Sequence, residues 1–151
     1  MISISVQEND FDVAAEYQQL QASNTDVGGI AIFTGQVRDN ADQTLEFLHL
    51  EHYPGMTANS LQQTADKAAE QWPVINIRII HRFGDLKPGE QIVFVGVSSV
   101  HRDAAFAACE YIMDILKTSA PFWKKEQLRG GESSWVDAKT SDDARAKRWQ
   151  E

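Results

Sequence analysis

The sequence predicts an α+β domain, and three observations carry that prediction. Segments with two-residue apolar alternation are mixed with segments of helical period. The strand-like segments are spaced irregularly, which argues against a doubly wound parallel sheet. Turn-rich stretches at 84–90 and at Arg129-Gly130-Gly131 are short enough to act as hairpin-like connections. At 151 residues the chain suits one domain with a substantial core.

Taken in order, residues 2–6 alternate apolar and polar and read as a strand. Asp10 is expected to cap a helix over 11–20, with Val13, Ala14, Tyr17 and Leu20 on its buried side. Gly28-Gly29 opens a strand over 30–37, expected to be buried, and 38–42 follows as a polar loop. A strand over 45–53 should send Leu45, Phe47 and His49 one way and Leu48 and Leu50 the other. Thr57 is placed as the cap of a helix that buries Leu61, Ala65, Ala68 and Trp72 and is closed by Pro73. Residues 74–83 and 91–98 read as strands, joined by the turn-dense 84–90. The longest helix starts at Ser99 or Asp103 and ends near Lys117, because Pro121 forbids its continuation. Residues 122–127 and 134–137 are expected to pair as a hairpin, and 141–149 to form a short amphipathic helix.

The 22 acidic against 14 basic residues give a formal net charge of -8, which argues against nonspecific nucleic-acid binding but not against a local anion site. No apolar run approaches a membrane span, and residues 1–6 lack the basic region and apolar core of a signal peptide. With one cysteine there is no intrachain disulfide, so a reducing cytoplasm is the expected setting.

Against that acidic background, Lys117-Thr118-Ser119-Ala120-Pro121-Phe122-Trp123-Lys124-Lys125-Glu126 concentrates positive charge at a forced helix break. Lys117 alone would be a routine last-turn cation favouring the helix dipole. With Lys124 on the next element and Phe122 and Trp123 between them, the pair can form an apolar-walled cationic pocket. A lysine among cations and apolar rings is expected to have a lowered pKa, suiting it to nucleophilic or general-base work. Lys124 and Lys125 face opposite sides of a strand, so only Lys124 is assigned to the pocket. Arg38, at a strand end, has a planar fork suited to phosphate or carboxylate. His101-Arg102 stands where a strand meets the long helix, beside backbone N–H groups with no internal partner. His81-Arg82 ends another strand with no helix behind it and is set aside as structural. Cys109 falls on a helical apolar stripe with no adjoining base, so it reads as core rather than nucleophile. His52 points away from His49 and Glu51 on a strand, so no metal ligand set forms.

The chain resembles the large, catalytic subunit family of molybdopterin synthase. The resemblance rests on 33–38, 50–56, 80–84, 88–90, 93–97, His101-Arg102, 112–114 and above all 116–126, in order from about residue 10 to Trp149. It implies an α+β fold of the hammerhead type, a mixed or antiparallel sheet with packed helices. It also implies a sulfur transferase that converts cyclic pyranopterin monophosphate (precursor Z) to molybdopterin by adding two dithiolene sulfurs. The sulfur would arrive as a thiocarboxylate on the C-terminal Gly-Gly of a small ubiquitin-like partner, within a heterotetramer built on a dimer of this subunit. By position, the family's pattern makes Lys117 and Lys124 catalytic, and Gln36, Val37, Arg38, His101, Arg102, Lys125 and Glu126 substrate-binding. No cofactor and no metal are expected. A non-catalytic pterin- or phosphate-binding scaffold for the small subunit is the alternative.

Overall fold

The computed structural model describes residues 1–21, 24–119, 121–136 and 140–150. Two four-stranded sheets organise it. The first is ordered β1 (Ile2–Gln7), β4 (Val74–Arg82), β6 (Gln91–Ser99), β2 (Gly29–Gln36). In it β1 runs parallel to β4 and the other neighbours are antiparallel. The second sheet is antiparallel throughout: β5 (Gly84–Leu86), β3 (Leu45–His52), β7 (Phe122–Leu128), β8 (Ser133–Val136). The helices are α1 (Val13–Gln21), α2 (Met56–Gln71), α3 (Arg102–Ser119) and α4 (Thr140–Lys147).

Alternation along the central strand β6 decides the layers. Val93, Val95 and Val97 join the main core with Leu61, Ala65 and Ala68 of α2 and Ala105, Ala108 and Ile112 of α3. Phe94 is out of phase with them and packs with Leu20 of α1 and Ile80. The same parity in β4 puts Ile77, Ile79 and His81 toward α2 and α3, and Ile80 and Arg82 toward α1. A smaller core of Val37, Leu45, Leu50 and Leu86 belongs to the second sheet. Residues 148–149 are tied back onto α3. The Asp114 carboxylate accepts from Trp149 Nε1–H at 2.6 Å and from the Arg148 guanidinium at 2.8 Å, while the Trp149 ring packs edge-on against Trp72 and Tyr111.

Several local expectations are corrected. Asp12, not Asp10, caps α1, accepting from the Ala14 and Ala15 N–H groups at 2.9 and 3.3 Å. Asp10 instead accepts from Phe11 N–H and the Gln91 amide. Ala14 and Tyr17 are exposed, leaving Leu20 as the buried anchor of that helix. β2 is an edge strand rather than a buried one, so Phe33 remains 43% exposed. A bulge between Leu45 and Phe47 shifts the phase of β3, and Leu45 joins Leu48 and Leu50 in the small core. Thr57 lies inside the first turn of α2, fully buried, its hydroxyl donating to the Tyr53 carbonyl and accepting from the Tyr53 N–H; Gly55 is the N-cap. The turn-dense 84–90 contains a three-residue strand, too short for periodicity to reveal. β7 and β8 pair as expected across Arg129-Gly130-Gly131. Asp137, the expected last residue of that second strand, lies outside the described residues, as does Ala120.

Gly28 is required by close approach: a Cβ there would stand 2.2 Å from the Val100 carbonyl oxygen. Gly28→Ala is therefore expected to cost about 1–3 kcal/mol, read as a lower denaturant midpoint.

Candidate active site

The charges of Lys117 and Lys124 both bear on one buried histidine, His81. α3 begins beside Gly29, where the Arg102 Cα lies 3.3 Å from the position a Gly29 Cβ would take. Its 18 residues, at about 1.5 Å each, carry it back across the sheet. Cys109 passes over Val95, its Sγ 3.7 Å from the Val95 carbonyl. The helix ends near the edge of the sheet where His81 and Gly35 flank Val93. Pro121 then redirects the chain into β7. There the Phe122 ring stacks on His81 at 3.6 Å between centroids and 20° between planes. Lys124, two residues further, shares the Phe122 face of the strand. The Lys124 and Lys117 charges both act on the His81 ring. Lys124 is half-buried and Lys117 exposed, so the drying that the sequence argument invoked for Lys117 is not supplied by this chain alone.

His81 is the residue that sequence reasoning missed. Its Nδ1 lies 2.8 Å from the Arg82 carbonyl oxygen, which can only accept, so Nδ1 carries the proton. Burial, with Lys124, Lys117 and His52 nearby, pushes its pKa down to about 3 despite that hydrogen bond, leaving a neutral ring at neutral pH. Setting His81-Arg82 aside as structural holds for Arg82, whose guanidinium donates to the Glu8 and Gln91 carbonyls at 2.9 Å on the α1 side. Strand parity sends His81 to the opposite face. That parity was available in the sequence, but its consequence depended on knowing where α3 and β7 arrive. His52 lies beyond Phe122: its ring packs on Phe83 at 4.4 Å, 6.3 Å from the Phe122 ring, and its Nδ1 is buried without a hydrogen-bond partner among the described residues.

The other predicted residues divide. Gln36, paired with Gln91, and Arg38, two residues beyond, are exposed at the same end of the first sheet as His81. Val37 is withdrawn from any ligand: its side chain is in the small core, its N–H donates to Glu90 O and its carbonyl accepts from Gly89 N–H. Glu126 shares the Lys124 face, while Lys125 lies on the other, 5.6 Å from the Trp135 ring centroid. Trp123 also points that way, against Tyr53, so Phe122 alone of the two rings lies against His81. His101 and Arg102 are exposed at the opposite end of β2, roughly 23 Å from Gln36 by strand rise. Cys109 is core, its thiol pushed up to about 12 by burial and by the Glu110 charge.

His49 sits between Asp85 and Glu51 at 2.6 and 3.1 Å, with His52 turned away; among the described residues no cluster of three metal-binding side chains forms. The Asp85 hydrogen bond, then Glu51, hold the His49 pKa above its ordinary 6.5. A raised folded pKa contributes stability that is present in full below the unfolded value and lost as pH rises through the folded one. His49→Gln should therefore melt below the parent at pH 5.5 and level with it at pH 9. A melting gap that widens with pH would contradict the assignment.

The fold defines an α+β domain in which the charges of two lysines, one from a helix end and one from a strand, bear on a neutral histidine. The profile of the family described as MoaE protein matches residues 6–119. A "Molybdopterin synthase catalytic subunit" of Vibrio cholerae serotype O1 is 55% identical over 148 residues, covering 97% of both chains. The solved "Molybdopterin biosynthesis MoaE protein" of Burkholderia ambifaria MC40-6 superposes with a TM-score of 0.85 at 47% identity, covering 100% of this chain and 99% of its own. The structure of "Molybdopterin Synthase" from Staphylococcus aureus does so at 0.80 and 31%, covering 87% of this chain and 95% of its own. The chain belongs to the MoaE protein family, and its α+β architecture is that of the family's solved members.

Proposed function

We propose that this chain, read as one catalytic domain, performs sulfur transfer in molybdopterin synthase, converting cyclic pyranopterin monophosphate to molybdopterin. The observation that carries the reading is that the charges of Lys117 and Lys124 both bear on His81, which Phe122 of the Lys124 strand covers, in a member of this family. The lysines hold the anionic substrate and assist attack or proton transfer at the reacting carbon. Glu126 stands beside Lys124 on the same strand face, and Arg38 supplies a phosphate fork at the pocket's end. No thiol of this chain is placed to deliver sulfur, since Cys109 is buried and protonated. Sulfur comes instead from the C-terminal thiocarboxylate of a small ubiquitin-like subunit. The name of the Vibrio relative, a catalytic subunit, supports an enzyme of more than one chain. Docking of that tail over exposed Lys117 would dry the site. The lone free cysteine fits a reducing cytoplasm.

His101 and Arg102 are too far from Lys117 along their own chain to share its substrate. A homodimer resolves this if each copy lends its helix start to the other's pocket. Co-expressed Lys117→Ala and Arg102→Ala chains, each inactive alone, are then expected to recover activity at about a quarter of the sites. No recovery would place His101-Arg102 outside the catalytic centre.

The direct test is the mass of the pterin after incubation with precursor Z and thiocarboxylated small subunit. A gain of two sulfurs supports the synthase. Precursor bound but unchanged, with an authentic synthase working in parallel, supports a non-catalytic pterin-binding scaffold instead.

A further inference from the structure

We propose that His81 is a positioning residue of the lysine site, a neutral imidazole whose Nε2 lone pair orients the Lys124 ammonium. The inference rests on the reading of Lys117 and Lys124 as the catalytic pair, but its geometry is independent of the reaction. The ring is buried, 9% exposed, at the end of a central strand. It is fixed on two sides: Phe122 stacks on its face at 3.6 Å, and the Arg82 carbonyl takes its Nδ1–H at 2.8 Å. Those two contacts settle the ring plane and the tautomer, leaving Nε2 as a bare acceptor.

Such an acceptor matters because of its company. Phe122 and Lys124 are two residues apart on one face of β7, so the stack that holds Phe122 on His81 also brings the Lys124 backbone within one pleat repeat of Phe122 on the face turned to the ring. The titratable groups facing the ring are Lys124 on β7, Lys117 on α3 and His52 on β3. A charged imidazole there would repel both ammonium groups. A neutral one accepts a hydrogen bond from an ammonium and fixes its direction without adding charge. Phenylalanine would keep the stack and lose the acceptor; asparagine would keep a donor for the Arg82 carbonyl but not reach as Nε2 does. Glutamine reaches further and offers an oxygen near the Nε2 position.

These differences define the test. In the complete enzyme, His81→Asn and His81→Phe are expected to lower kcat by about 10- to 100-fold with KM changed little, and to displace the pH profile of kcat. His81→Gln is expected to regain part of the loss. A structural role alone would lower thermal stability and leave the pH profile in place. Should the variants fail to fold, nitrogen NMR of histidine-labelled parent protein decides. The Nδ1–H tautomer should persist from pH 5 to pH 9, and the His81 Nε2 resonance should move in Lys124→Met. An Nε2–H tautomer, or an Nε2 signal indifferent to Lys124→Met, would overturn the proposal whatever the fate of the synthase reading. Parent-like kcat and pH profile in both the asparagine and phenylalanine variants would do the same.

Discussion

Lys117→Ala is expected to lower turnover by about 10²- to 10⁴-fold, the range for loss of a positioned acid–base group. Stability should barely change. Lys117 is exposed in the last turn of α3, where its charge interacts with the helix dipole for less than about 1 kcal/mol. Single-turnover assays with saturating thiocarboxylated partner, beside a thermal melt, separate the two quantities. Full activity in this variant would sink the assignment of Lys117, and an unfolded variant would show that the helix end is structural.

The second large effect lies on the other face of the first sheet. Phe94 is fully buried between β6 and α1, with Leu20 and Ile80 beside it and the Phe11 ring edge-on at 5.9 Å. Phe94→Ala is expected to cost about 3–5 kcal/mol, because a cavity is left that the surrounding strands cannot fill. Equilibrium urea unfolding reads it directly. A loss below about 1 kcal/mol would mean that α1 collapses into the space, contrary to a rigid packing of Leu20. Since Phe94 faces away from the lysines, kcat in the folded fraction should match the parent.

The strands and long helices were legible because their apolar periods are long enough to register. β4, β6, α2 and α3 each run nine residues or more, and their buried positions recur at the expected intervals. Where one residue decides the outcome, the sequence misled. The bulge after Leu45 reversed the facing of a whole strand end, and Asp12 competed with Asp10 for the same cap. The lysine pair could be read from the proline break between its members. His81 could not, since a histidine at a strand end gains meaning only when α3 and β7 are brought over it. The wide separation of Arg38 from His101-Arg102 was equally hidden, because antiparallel pairing of β2 with β6 sets their distance and no local motif encodes it.

The Asp114 contacts with residues 148–149 make a noncovalent ring of the chain. Asp114 and Trp149 are 35 positions apart, and everything between them, both lysines included, lies on that closed circuit. Closing a loop of this size by hydrogen bonds and ring packing does part of what a disulfide staple does, restricting the excursions of the enclosed segment. The β7–β8 hairpin is thus tied at both ends to one helix, through Pro121 on one side and the Asp114 latch on the other. Opening the latch would lengthen the tether on β7 without touching a single residue that packs on His81.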